Sequence, residues 1–376
     1  MGSAEEVLEL CADFGFELAG IAPLEPPPDA ERFRAWLAAG HQADLGWLER
    51  NADRIADPRG LLEGGRSILV VGLGHARPAQ ALEGGGQVAR YALGRDYHNL
   101  IGKRLRKLAR ALVERGWAED WRGVVDAGPL LERSHAERAG VGFASKAANL
   151  LHRDHGPWFF LGELLLDVEL EPSAAPALGS CGTCTACLDA CPTEAIRSPG
   201  VVDARRCLSY HTIENRGRIP VELRERLDGW VFGCDVCSQV CPWGRRAPDA
   251  SERWGTHPAV AEGRLVDWLR LSGPEFTETF RGSPLRRPGR TGLARNAALV
   301  LAGDPSDEGR AALLDALEDA SALVREAAAW ALAHAHAGDR GVRRALAESA
   351  AREEDPGART ELERWSATAE GRARPT

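Results

Sequence analysis

Eight of the chain's nine cysteines fall between Cys181 and Cys241, and no other feature limits the fold as tightly. Thiols bunched at two- and three-residue gaps in a chain of 376 residues are not the disulfide framework of a small secreted domain. Their spacing is that of metal ligands. Residues 181–192 read CGTCTACLDACP, the C-x2-C-x2-C-x3-C-P run of bacterial ferredoxins, in which the fourth cysteine reaches across to a second cluster. A second run, CDVCSQVCP over 234–242, is one cysteine short, and Cys207 upstream is the simplest replacement. Crossed pairing then assigns Cys181, Cys184, Cys187 and Cys241 to one cubane and Cys191, Cys207, Cys234 and Cys237 to the other. Zinc ribbons also use C-x2-C pairs, but the two C-x3-C-P endings suit crossed cubanes better. The expectation is two 4Fe–4S clusters passing electrons singly, with long flanks on either side to hold whatever is reduced.

The net charge of −8 does not advertise nucleic-acid binding, so any such contact must come from a local patch. One candidate is the stretch 103–110, KRLRKLAR, which lines up positive charge on a helix whose Leu105, Leu108 and Leu112 turn inward. No apolar run approaches the roughly 18 residues of a membrane span, and the N-terminus lacks the basic-then-apolar form of a secretory signal. A cytoplasmic protein without membrane contact is expected. Lone Cys11, on an apolar helical face, reads as a small buried hydrophobe.

Three regions are expected around the cysteines. Residues 1–175 alternate helical and strand-like segments: helices over 7–16, 31–39 and 99–115, strands over 67–74, 122–126 and 158–170. They read as an α/β domain. Gly72 and Gly74 follow a strand, but position 77 is Arg where a dinucleotide fingerprint needs glycine, so a tight turn is favoured. Residues 176–250 form the bacterial ferredoxin-like two-cluster domain and 251–284 a connecting helical segment. From 285 to 355 the chain is rich in Ala and Leu, and Arg295 and Ala297 recur as Arg325 and Ala327. That period predicts a C-terminal α-helical HEAT-like repeat. Residues 356–376 form a tail whose last six residues, GRARPT, are expected to be disordered. The fold class is thus α+β and multi-domain.

Four runs together resemble the epoxyqueuosine reductase family: VARYALGRDYH over 88–98, VDAGPLLERSHAERAGVG over 125–142, CLSYHTIE over 207–214 and FGCDVCSQVCPW over 232–243. The resemblance spans roughly residues 10–340, nearly the whole chain. It implies reduction of epoxyqueuosine to queuosine at the tRNA wobble position, with a cobalamin and two 4Fe–4S clusters as cofactors. It further implies an N-terminal cobalamin-binding domain similar to that of reductive dehalogenases. The family's general acid falls on Asp126, and its cofactor contacts fall on Arg54, Asp126 and Ser209; Lys146 is a further candidate, for a cobalamin side chain or a tRNA phosphate. The chain departs from the family's usual pattern at Ser145, Ala147 and His211, the last expected near the cofactor. The implied partners are the anticodon arm of tRNA and an external reductant, and the short repeat suggests a monomer. Tyr97, His98 and Trp243 are candidates to line the site. Asp126 needs a raised pKa to act as an acid at neutral pH, and burial against cofactor and substrate would raise it. Two alternatives compete: a ferredoxin-type electron carrier with no substrate of its own, and a cobalamin reductase of a small organohalide.

Overall fold

The computed structural model describes residues 2–173 and 179–371. The end of the GRARPT tail, from 372 on, lies outside them. The chain divides into two compact units that interleave in sequence. The first comprises Met1–Arg77, Asp96–Cys207 and Asp235–Trp254; the second comprises Pro78–Arg95, Leu208–Cys234 and Gly255–Thr376.

The first unit is built on a four-stranded sheet. Helix α1 (Ala4–Asp13) opens it, started by a capping box in which Ser3 and Glu6 satisfy each other's backbone N–H groups. Then come β1 (Leu18–Pro23), α2 (Ala30–Ala38), β2 (Ser67–Gly74), α3 (Tyr97–Glu114), β3 (Trp121–Val124), α4 (Glu132–Arg138) and β4 (Phe159–Leu166). The sheet order is β1-β2-β4-β3, and every neighbouring pair is antiparallel. The N-terminal region is therefore mixed helix and sheet without parallel crossovers. Every residue of β2 is buried, which is why its apolar run reads so plainly as a strand. Helix α3 covers one face: a Cβ on Gly162 of β4 would meet Ile101 and Leu105. Helix α4 covers the other, so closely that a Cβ on Gly20 of β1 would lie 2.1 Å from the Ala139 carbonyl oxygen.

In the second unit a short parallel ladder joins Gln87–Val88 to Trp230–Phe232. Three short helices then precede five longer ones: Gly289–Val300, Asp307–Asp315, Ala322–Ala335, Arg340–Arg352 and Pro356–Gly371. Arg295 is 2% exposed, yet its guanidinium donates to the carbonyls of His211 (2.7 Å), Asn215 (3.0 Å) and Gly217 and to the Asn296 side chain. Asn296 in turn donates to the carbonyls of Thr212 and Val231. One arginine–asparagine pair thus ties the first of these five helices to the Leu208–Cys234 segment. Arg325, its counterpart thirty residues on, makes a bidentate pair with Glu353 instead. No helix among the described residues is long and apolar enough to cross a membrane.

Candidate active site and cluster ligands

Asp126 follows the end of β3 and adopts a left-handed backbone, with φ of +55°. That region disfavours most side chains, though Asp tolerates it better than others. Its side chain is 64% exposed and faces the N-terminus of α3. Tyr97 Oη donates to Asp126 Oδ2 at 2.5 Å, and His98 Nε2 stands 3.5 Å from the same oxygen. The other imidazole nitrogen, Nδ1, is 2.8 Å from Asp96 Oδ1. Asp96 is also the N-cap of α3, accepting the His98 backbone N–H. The Tyr97 ring stacks between those of His98 and Phe160, 4.1 Å from each.

The electrostatics follow from this arrangement. Burial alone would lower the His98 pKa, but hydrogen bonds to Asp126 and Asp96 outweigh it and lift it to about 9. Partial desolvation by the surrounding loop would raise Asp126, but the His98 and Tyr97 hydrogen bonds and the His98 charge hold it below the ordinary carboxylate range. The expected upward shift of Asp126 is therefore not a property of the protein alone. At neutral pH the proton sits on His98, between two carboxylates.

The clustered cysteines other than Cys234 lie within the first unit. Cys181, Cys184, Cys187, Cys237 and Cys241 line one cavity of roughly 450 Å³, open mouth included, with Trp243 and Pro242 in its wall. Burial pushes the Cys187 thiol up, and the neighbouring Cys181, Cys241 and Cys184 push it further. Cys241 is raised by burial too, against backbone N–H donors at Trp243 and Gly244. Cys237 is pushed up to about 12, first by burial and then by Cys207, with Cys191 adding to it. The Cys191 sulfur accepts the Ala195 N–H at 3.2 Å. Thiols that repel one another as thiolates, with N–H groups aimed at sulfur, suit a cationic iron–sulfur core that displaces their protons. Among the described residues no three such side chains close around one point as they would for a single metal ion; they are spread round a cavity instead. Cys234 ends a segment of the second unit.

Lys146 spans the first cysteine loop, its Nζ donating to the carbonyls of Gly182 (2.8 Å) and Cys184 (2.9 Å). It also lines an open basin of about 1160 Å³, mouth included, together with Arg32, Arg133, Asn149 and Cys181. Arg133 connects this basin to the acid, because its charge helps hold Asp126 ionised. The basin is of the size that small-molecule pockets take. Its cations beside a cluster cysteine suit a bulky group rich in amide and phosphate oxygens, as a cobalamin is.

Arg54 is exposed on the short helix Ala52–Ala56. Ser209 is half-buried on Leu208–Ile213 of the second unit. His211 on the same helix is 4% exposed, its Nδ1 3.0 Å from the Asn215 side chain. Trp243 packs edge-on against Phe143 in the cysteine cavity wall. Cys11 is buried, its thiol donating to the Val7 carbonyl and its pKa pushed up to about 12. On α3, Leu105, Leu108 and Leu112 are buried, while Lys103, Arg106, Lys107 and Arg110 are exposed. Sequence reasoning missed two acids, Glu132 and Glu163. The signal was a glutamate inside the apolar run FFLGELLL.

Residues 180–244 match the family profile of the 4Fe-4S double cluster binding domain, and residues 56–127 match that of epoxyqueuosine reductase QueG, DUF1730. An epoxyqueuosine reductase of Xanthomonas campestris is 40% identical over 344 residues, 88% of this chain and 96% of that one. One from Escherichia coli is 36% identical over 338 residues, 88% and 89% of the respective chains. Among solved structures, an epoxyqueuosine reductase bound to an epoxyqueuosine-modified tRNA-Tyr stem loop superposes with a TM-score of 0.90 at 28% identity, covering 97% of this chain and 98% of the other. The Bacillus subtilis enzyme, solved with its catalytic aspartate loop swung out of the active site, superposes at 0.86 and 28% identity over 97% and 98% of the two chains. With relatives this similar along nearly their whole length, the chain belongs to the epoxyqueuosine reductase family.

Proposed function

We propose that this protein reduces epoxyqueuosine to queuosine at the wobble position of tRNA, with Asp126 as the proton donor to the epoxide oxygen. The observation that most supports this is the chain Asp96–His98–Asp126, closed by Tyr97, at the end of β3. Removing an epoxide oxygen as water consumes two electrons and two protons, so a carboxyl group wired to a protonated imidazole is what the oxygen needs. When bound, the two iron–sulfur clusters and a cobalamin supply single electrons and a strongly reducing cobalt centre. Cys181, Cys184, Cys187 and Cys241 would hold one cluster, and Cys191, Cys207, Cys234 and Cys237 the other. Arg133 and Lys146 would meet cobalamin oxygens, and Arg54 and Ser209 are the further contacts that the family resemblance implies.

The chain's own residues then divide the work. His98 holds a proton at Nε2, facing Asp126. As the substrate covers Asp126 and displaces water, the ionised carboxylate loses its solvation and takes that proton. Asp126 passes it to the developing oxyanion as the carbon–oxygen bond breaks, and Asp96 keeps the imidazole in register. The wobble base must leave the anticodon stack to reach the acid. The exposed cations of α3 suit the phosphates around it, and the stem-loop complex of the structural relative supports such a partner. The C-terminal helices, read as HEAT-like pairs, would form a further docking face, in a cytoplasmic monomer.

The test is single-turnover reduction of an epoxyqueuosine stem loop by wild type and Asp126→Asn, both loaded with cofactors. Loss of turnover with corrinoid and iron retained supports the assignment. Undiminished turnover by the variant refutes it.

A further inference from the structure

The turn Ser145–Asn149 joins two short antiparallel strands, Phe143–Ala144 and Leu150–Leu151. Ser145 is 7% exposed, and its hydroxyl oxygen accepts the backbone N–H groups of Ala147 (3.2 Å) and Asn149 (3.1 Å). The Ser145 N–H donates to the Asn149 carbonyl (2.9 Å), and the Ser145 carbonyl accepts the Ala148 N–H (3.1 Å). From outside the turn, Gly200 N–H donates to the Lys146 carbonyl at 2.9 Å, and Arg133 of α4 donates to the Ala148 carbonyl at 2.8 Å. Ala148 itself has a left-handed backbone, with φ of +60°. A residue with a Cβ persists there only where its surroundings over-determine it, and these hydrogen bonds do so.

The turn so fixed has two arms. Lys146 reaches the first cysteine run, where its Nζ donates to the carbonyls of Gly182 (2.8 Å) and Cys184 (2.9 Å). Asn149 reaches the last run, where its Nδ2 donates to the hydroxyl of Ser238 (3.2 Å), between Cys237 and Cys241. Cys181, Cys184 and Cys187 come from the one run and Cys241 from the other, so the turn spans both halves of one proposed ligand set. It is also a wall: Ser145, Asn149 and Cys181 line the cysteine cavity and the basin alike.

Lys146 brings a charge as well as donors. Of the two carboxylates that line the basin, Asp29 pairs with Arg32 at 2.7 Å and Glu137 accepts the Ala144 N–H at 2.7 Å, so both are engaged elsewhere. Charge and hydrogen bonds around an iron–sulfur cluster set its reduction potential. The step concerned is the arrival of one electron from the external reductant: the cluster gains one negative charge, and no bond or proton moves. An ammonium anchored in the ligand loop favours that more negative state.

We propose that the Ser145–Asn149 turn is a brace across the ligand set Cys181, Cys184, Cys187 and Cys241, and that it fixes the Lys146 ammonium where it makes their cluster easier to reduce. Ser145 and Asn149 are positioning residues, acting through Lys146 and Ser238. The charge favours holding the electron at the wall of the basin. This rests on the reading that those four cysteines hold one cluster.

The experiment is a potentiometric titration of the full-length, iron–sulfur-loaded protein with oxygen excluded, followed by the paramagnetic resonance of the reduced clusters. In Lys146→Met one cluster's reduced-to-oxidised ratio at a fixed solution potential drops about tenfold, equivalent to about 59 mV for a one-electron couple, and the other cluster keeps its potential. Lys146→Arg keeps the charge and both potentials. Lys146→Gln keeps a donor without the charge; it shifts as K146M does, and it reads the charge alone if K146M sheds its iron. Ser145→Ala leaves two N–H groups of the turn without their acceptor, moves the same potential part of the way and speeds iron loss to a chelator. Ser145→Thr keeps the oxygen and restores both. Two unchanged potentials in K146Q overturn the role of the charge, and wild-type behaviour of S145A overturns the brace. A wild-type protein that takes up no cluster refutes the cluster reading itself, a result distinct from any seen in the variants alone.

Discussion

Replacing His98 with Ala should produce a stability deficit that depends on pH. In the folded protein its pKa is lifted from 6.5 to about 9 by Asp126 and Asp96. Taken whole, that rise of about 2.5 corresponds to about 3.4 kcal/mol favouring the imidazolium. The ring is 39% exposed, so solvent screening reduces it to about 1–2 kcal/mol. The sign follows from linkage. A group whose folded pKa is raised contributes its full stabilisation below the unfolded value, near 6.5, and loses it as pH climbs through about 9. The deficit of His98→Ala should therefore be fullest near pH 6 and small above pH 10. A unit of this size shifts by about 2–4 °C per kcal/mol, so the melting temperature should drop by roughly 2–8 °C at pH 6. Stacking on Tyr97 adds a part that does not vary with pH. The assay is thermal denaturation of both proteins, cofactors loaded and oxygen excluded, from pH 6 to 10. A gap that stays constant or widens with pH would refute the charged chain. A companion pH–rate profile should show activity falling as pH passes about 9 in wild type and that limb moving in the variant.

Arg295→Met leaves the carbonyls of His211, Asn215 and Gly217 without their buried donor, and a loss of about 3–5 kcal/mol is expected by denaturant unfolding. Lys146→Met removes both donors to the first cysteine loop, so iron should leave that cluster faster when a chelator is added, read as decay of visible absorbance. Alanine at Lys103, Arg106, Lys107 and Arg110 together should weaken tRNA stem-loop binding and flatten its salt dependence, by up to about 0.7–0.9 in slope for each phosphate the helix no longer neutralises. Equal slopes would move the tRNA away from α3.

How much of this could be read from sequence varied with the range of the interaction. The cysteine spacing is local chemistry, and it singled out the thiols that line the cavity before any fold was known. Strand β2 was legible to the residue because both its faces are buried, while the run at 158–170 overshot β4, which stops at Leu166. Strand β1, LAGIAP, carries too little period and a proline, so it went unread; it is fixed by pairing with β2, about fifty residues away in sequence. The site splits along the same line. Asp126 was found through a contiguous run. Its downward pKa was not, because the sign depends on α3 delivering Tyr97 and His98 to the end of β3. The Ser145–Asn149 turn was read only in part for a like reason: its grip on Gly182, Cys184 and Ser238 exists only once the chain has folded.

The interleaving of the two units sets a timetable for biogenesis. The segment Asp235–Trp254 belongs to the first unit, although Leu208–Cys234 of the second precedes it in the chain. A ribosome therefore releases Cys181, Cys184 and Cys187 well before Cys241, their proposed fourth partner. At about 5–20 residues per second, the 54 residues from Cys187 to Cys241 take roughly 3–11 s to appear. During that interval three thiols are exposed on an unfinished unit that still lacks Asp235–Trp254, open to oxidation or to a stray metal. Iron delivery to the nascent chain is thus best timed after the first two-thirds of translation, and expression under iron limitation should yield mis-metallated protein more readily than unfolded protein.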